Sequence, residues 1–212
     1  SRGLGDVYKR QPIIDVEVIR TQSANQIRVI EKQIEQIKNT KDPKELHAFH
    51  KMLLRLRDLD AIVVAGINGN TAGGGCEFSL GCDLRVMSDG DFLIGLPETS
   101  VGILPGGGGT QRLSRLIGSS RALDLILHAK LLKPLEAYNL GIINKLLTEK
   151  KFKEELDEYC EDLANRAPIA LSQVKKIIHQ GLEMTLEDSL LLEQKAFDVT
   201  MNSKDAARAM RS

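Results

Sequence analysis

No charge of one sign dominates this chain: 29 basic and 29 acidic residues cancel over 212 positions. That balance removes the electrostatic footprint expected of a nucleic-acid or membrane-surface binder. No apolar run reaches the roughly 18–20 residues a membrane-spanning helix needs, and no signal-peptide pattern is visible. Cysteine is scarce. Cys76, Cys82 and Cys160 fall at no metal-binding or redox spacing, and their odd number argues for reduced thiols in a cytoplasm or organelle matrix. Two nucleotide-binding motifs are missing as well. No Gly-Lys-Ser/Thr of a phosphate loop occurs, and no G-x-G-x-x-G lies near the glycine clusters.

Glycine is what the chain has, 18 residues of it, and many lie between Gly66 and Arg112. There Gly73-Gly74-Gly75 and Gly106-Gly107-Gly108-Gly109 flank two carboxylates, Glu77 and Glu98. The preceding run AIVVAGI is short, β-branched and bounded by Asn-Gly, which predicts a buried strand. After Gly75 the segment CEFSLGCDL predicts a helix with Glu77 in its first turn. Glycines before a helix let backbone N–H groups face a ligand, and the helix's positive end favours an anion or a developing oxyanion. An acidic residue in a first helical turn is also favourable without catalysis. Cys76 beside Glu77 has no histidine near it in sequence, so a small buried hydrophobe is the expectation.

The length and the 42% hydrophobic content predict one sizeable core with an appendage. Residues 1–11 show no periodicity and are expected to be an artificial remnant outside the fold. Ile13 to Ile19 is strand-like. Gln22 to Lys38 has isoleucines at helical spacing, and Asp42-Pro43 predicts the cap of a second helix with Leu46, Phe49, Leu53 and Leu56 on one face. Both are expected to cover a sheet. His47 and His50 on that helix have no acidic or thiol partners nearby, so surface positions are expected. Thr110–Ile117 and Ser119–Leu132 read as helices, with Gly118 as a stop and Ser119 or Ser120 as N-caps. Ile142–Thr148 reads as a strand. From Lys151 on, three helices in series are expected. Their apolar stripes are Phe152, Leu156, Tyr159 or Cys160 and Leu163, then Leu171, Val174, Ile178 and Leu182, then Leu186, Leu190, Phe197 and Met201.

The ordered pattern from Asp60 to Leu147 resembles the crotonase (enoyl-CoA hydratase/isomerase) superfamily. It is carried by Asn68-Gly69, Gly73-Gly74-Gly75-Cys76-Glu77, Cys82-Asp83, Pro97-Glu98 with Gly102, and Pro105 through Leu113. Pro134 to Ile143 extends it. One departure is Thr71-Ala72, where the family has its small residue one place earlier. Asp15-Val16 resembles the tail of a family segment that donates a second oxyanion N–H, here from Ile14. The family's glycine before that position is Ile13.

The resemblance implies an α/β fold: a crotonase-like (ClpP/crotonase-type) ββα superhelix core over 12–150, incomplete at its N-terminus, and a helical oligomerisation segment over 151–212. The implied reaction is hydration of 2-enoyl-CoA thioesters in fatty-acid β-oxidation, with double-bond isomerisation or a non-catalytic subunit as alternatives. Gly74 and Ile14 would supply the oxyanion N–H groups. Glu77 would be the water base and Glu98 the proton donor to the α-carbon. Asp15, Gly73, Pro97, Leu104, Pro105 and Gly106 would contact substrate. No metal or redox cofactor is implied, coenzyme A being part of the substrate. Neither a nucleic acid nor a membrane is an implied partner, and a homotrimer or dimer of trimers is. The linker from Ile19 to Asp60 is expected to contribute a lid. The chain as given is expected to be a poor enzyme, because the family's opening strands and the Ile13 glycine are not there.

Overall fold

The computed structural model describes residues 15–19, by their backbone, and residues 46–210. Ile14, the expected helix over 22–38 and the Asp42-Pro43 cap lie outside the described residues. Elements are numbered in chain order.

Strand β1 (Asp15–Ile19) runs antiparallel to β2 (Ile62–Ile67), with Asp15 opposite Gly66. Between them in sequence stands helix α1 (Ala48–Asp58). The order β1-β2-β4-β7 is completed by β4 (Leu84–Ser88) and β7 (Lys145–Leu147), each parallel to its neighbour. A smaller sheet joins β3 (Thr71–Ala72), β5 (Ile94–Gly95) and β6 (Leu131–Leu132).

All of β2 is buried because both of its faces are covered, which is why it reads as an unbroken apolar run. Val63, Ala65 and Ile67 point into the main core, and Ile62 and Val64 point the other way. Against the first face pack α2 (Gly74–Gly81), α3 (Gly109–Ile117), α4 (Ser119–Leu127) and the short α5 (Pro134–Asn139), through Cys76, Leu113, Ile117, Ala122, Ile126 and Ala137. Against the second packs α6 (Phe152–Ala164), whose Phe152, Leu156 and Cys160 recur at four-residue spacing. Helix α1 buries Met52, Leu53 and Leu56, and Leu53 fits where Gly81 has no side chain: a Cβ there would lie 2.5 Å from Leu53 Cδ2.

Three further helices follow: α7 (Pro168–Gly181), α8 (Leu186–Met201) and α9 (Lys204–Ala209). Proline at the start of α7 takes the position where no N–H is needed. Helix α7 is fixed largely by polar groups, with Leu171 alone of its expected stripe packed against the second cluster. Lys175 is buried, donates 2.8 Å bonds to the carbonyls of Leu56 and Ala61, and pairs with Asp83. Ser172 donates to Asp60.

Several sequence expectations are corrected. Leu46 precedes α1 and is exposed, while Met52 takes an inward place. Helix α4 ends at Leu127, not Leu132, and the chain then pairs as β6. Its N-cap is Gly118, with no side-chain cap bond from Ser119 or Ser120. Strand β7 is shorter than Ile142–Thr148, because Ile142 and Ile143 plug the core from a turn. Among the described residues four helices, not three, follow Lys151, and Val174, Ile178, Leu182, Leu186, Leu190, Phe197 and Met201 are exposed. Cys76, Cys82 and Cys160 are buried, and no disulfide joins them.

Candidate active site

At the end of β2 the chain crosses β3 and turns into α2 at Gly73, whose φ of +59° is a left-handed conformation that suits glycine. The Gly73 N–H donates to the Gly95 carbonyl at 3.0 Å, which ties the turn to β5. Gly74 then opens the helix. As a first-turn residue its N–H has no intrahelical acceptor. It is exposed, and a Cβ built on it would meet nothing within 4 Å. The start of α2 therefore offers an unhindered N–H donor beside open space, at the positive end of the helix dipole.

Glu77 sits in the first turn of α2, as expected, yet it is only 4% exposed. Its Oε1 accepts from the Gly107 N–H at 2.6 Å and the Gly109 N–H at 2.8 Å. Both donors belong to the second glycine cluster, which forms the N-terminus of α3. No side chain fits there. A Cβ on Gly107 would lie 2.5 Å from Glu77 Oε2 and 2.7 Å from Phe49 Cε1, and one on Gly109 would lie 2.7 Å from Leu96 Cδ1.

Glu98 opens a 3-10 turn (Glu98–Val101) after buried Pro97. The turn is pinned by Thr99 Oγ1, which donates to the Ile126 carbonyl at 2.6 Å, and by Ser100 Oγ, which donates to the Pro97 carbonyl at 2.6 Å. Glu98 is 6% exposed, and its Oε2 is buried with no hydrogen-bond partner among the described residues. Burial pushes its carboxyl above the ordinary range, its own backbone N–H opposes that, and the charge of Glu77 adds to it. The two carboxyls thus have different surroundings. One accepts two backbone N–H bonds; the other is desolvated with an orphan oxygen.

The same environment silences Cys76, whose thiol is pushed up to about 12 by burial and then by Glu98 and Glu77. Pro105 is buried, whereas Leu104 and Gly106 are exposed on the loop leading to the Gly107–Gly109 donors. Asp15 lies opposite Gly66, at the end of β2 from which the chain runs on to Gly73. Its expected companion Ile14 lies outside the described residues. His47 and His50 join no cluster that could hold a metal ion among the described residues. Gly107 and Gly109 as partners of Glu77, and Phe49 against them, went unread in the sequence. The paired glycine clusters were the available signal, but not which carboxylate they serve. A surface cleft lined by Asp89, Asp91 and Lys133 contains none of these residues.

Comparison with known proteins agrees with this arrangement. The pattern described as enoyl-CoA hydratase/isomerase matches residues 30–212. The chain belongs to the enoyl-CoA hydratase/isomerase family. It is 36% identical over 161 residues to the short-chain-enoyl-CoA hydratase of Clostridium acetobutylicum, covering 76% of this chain and 61% of that one. It is 37% identical over 154 residues to the mitochondrial methylglutaconyl-CoA hydratase of Mus musculus, covering 71% and 49%. The crystal structure of an enoyl-CoA hydratase from Bacillus anthracis superimposes with a TM-score of 0.74 at 30% identity, over 90% of this chain and 68% of that one. These neighbours share the crotonase fold, so the mixed α/β architecture with its helical C-terminal part is that of the family. The chain spans about three fifths of the length of the first curated relatives it matches.

Proposed function

We propose that the protein is an enoyl-CoA hydratase, adding water across the double bond of 2-enoyl-CoA thioesters. One observation carries this reading: two buried carboxylates, Glu77 and Glu98, stand in opposite environments beside the open N-terminus of α2. Hydration needs negative charge stabilised on the thioester oxygen, a base for water at the β-carbon and a proton for the α-carbon. The Gly74 N–H, backed by the helix dipole, suits the developing oxyanion. Glu77, held by two N–H donors, suits the base that takes the water proton. Glu98, its carboxyl raised by burial, suits the acid that delivers a proton to the α-carbon. Water's hydroxyl forms the new C–O bond at the β-carbon while its proton passes to Glu77, and the C=C π pair takes the Glu98 proton as the new α-C–H bond. Return of a proton from Glu77 to Glu98 through solvent after product leaves restores both carboxyls.

Isomerisation would use Glu98 alone to shuttle a proton, and would leave the preparation of Glu77 without a purpose. That favours hydration. Coenzyme A enters as part of the substrate, and no cofactor is needed for these steps. Among the described residues no helix is long and apolar enough to cross a membrane, and reduced, buried thiols suit a cytoplasm or organelle matrix. Residues 151–212 are proposed as the assembly segment of a homotrimer or dimer of trimers, because α7 and α8 leave Val174, Ile178, Leu182, Leu190 and Phe197 exposed. Parallel assays separate the readings: crotonyl-CoA for hydration and a 3-enoyl-CoA for isomerisation. Turnover of the second without the first would replace hydratase by isomerase, and turnover of neither would point to a non-catalytic subunit.

A further inference from the structure

Arg112 is a cation that the mechanism above does not use and that touches its machinery. It lies on α3, one turn past the glycine cluster, and folds back so that Nη1 donates to the Gly107 carbonyl at 3.1 Å. Gly107 is also the residue whose N–H holds Glu77 Oε1 at 2.6 Å. The Arg112 N–H donates 2.9 Å to the Gly108 carbonyl, so side chain and backbone of one residue grip two successive peptide units of the loop. Gly108 makes room for this: its φ is +101°, and a Cβ there would collide with Nη1. The guanidinium is partly buried, which disfavours its charge, and the field of Glu77 offsets that while Arg57 opposes it. His50 stands close by, its Nδ1 3.5 Å from where that Cβ would be.

We infer that Arg112 is a positioning residue for Glu77, acting through the Gly107 peptide. By fixing the Gly107 carbonyl it orients the loop so that the Gly107 and Gly109 N–H groups both converge on one carboxylate oxygen. It touches no reacting atom. Its work is to keep the base aimed, and a misplacement of about 1 Å in such a constellation costs up to about a hundredfold in rate. The inference rests on the hydratase reading for its kinetic consequence but not for its structural one.

The test therefore has two readouts on the full protein, for Arg112→Met and Arg112→Lys. The first is amide hydrogen exchange over 106–109. Arg112→Met speeds exchange at Gly107 and Gly109, and Arg112→Lys, which keeps one donor, restores most of the protection. The second is steady-state hydration of crotonyl-CoA. Arg112→Met lowers kcat by about ten- to a hundredfold with KM within about twofold, and adds no further loss when combined with Glu77→Gln. Unchanged exchange at Gly107 and Gly109 overturns the inference. So does a change confined to KM, or a loss that compounds fully with Glu77→Gln. If the unmodified protein fails to hydrate crotonyl-CoA, the functional reading falls and the exchange result alone decides the role of Arg112.

Discussion

The Lys175 ammonium lies 2.8 Å from the Asp83 carboxylate, with the lysine side chain 2% and the aspartate side chain 11% exposed. Asp83 also accepts from the Val63 N–H at 2.7 Å, so one carboxylate links β2, the exit of α2 and helix α7. Because Lys175 also fills the carbonyls of Leu56 and Ala61, it is a polar bolt that holds helix α7 to the core.

Removing Lys175 takes the buried cation from Asp83, which keeps only the Val63 N–H and the partly exposed His179, whose Nε2 lies 3.3 Å away. Lys175→Met is expected to destabilise by about 3–5 kcal/mol, measured by urea unfolding. Lys175→Met with Asp83→Leu should cost less than the sum of the singles, the sign of a direct coupling. Additive losses would break the link between them.

Burial raises the Glu98 carboxyl above its ordinary value of 4.5. A group whose folded pKa is raised contributes stability that is fully present below the unfolded pKa and lost as pH rises through the folded pKa. Glu98→Gln, neutral throughout, should therefore be more stable than the parent protein at neutral pH, with the advantage vanishing below about pH 4.5. Melting temperatures across that range check it. An advantage that grew on acidification would have the wrong sign.

Gly74 and Gly107 separate two kinds of glycine requirement. Alanine at 74 meets no atom within 4 Å, so Gly74→Ala should fold with undiminished stability yet turn over poorly, its methyl standing where the thioester oxygen approaches. Alanine at 107 would press on Glu77 and Phe49, so Gly107→Ala should lose both stability and hydration. Urea unfolding and crotonyl-CoA turnover on the same preparations distinguish them. Full activity in Gly74→Ala would remove the oxyanion assignment.

The exposed faces of α7 and α8 predict closed assembly. Sedimentation at micromolar concentration should give a trimer or a dimer of trimers, and Phe197→Asp with Leu190→Asp should shift it to monomer. A stable monomer of the unmodified protein would contradict the proposed role of residues 151–212.

Where local chemistry dictates structure, the sequence was readable. The β-branched run of β2 and the glycine turn into α2 fell where expected. The failures share one cause: a pattern shows which face is apolar, not what covers it. Helix α7 looked anchored by Leu171, Val174, Ile178 and Leu182. Leu171 does pack on the core, but the other three are exposed and the buried residues are Ser172 and Lys175, because the partner across the interface is a carboxylate and two carbonyls. In the site, both glutamates were legible as candidates. Their different environments were not, since Glu77 is set by N–H groups thirty or more positions away and Glu98 by burial that leaves its Oε2 without a partner among the described residues.

The division of labour between the two glutamates is tested most directly by the rates of crotonyl-CoA hydration and 3-enoyl-CoA isomerisation in Glu77→Gln and Glu98→Gln. General acid–base groups are worth about 10²–10⁴ in rate. Glu98→Gln should lose both reactions by that order, and Glu77→Gln should lose hydration far more than isomerisation. Hydration by Glu77→Gln within about a factor of two of the parent rate, against that expected span, would contradict its role as the water base.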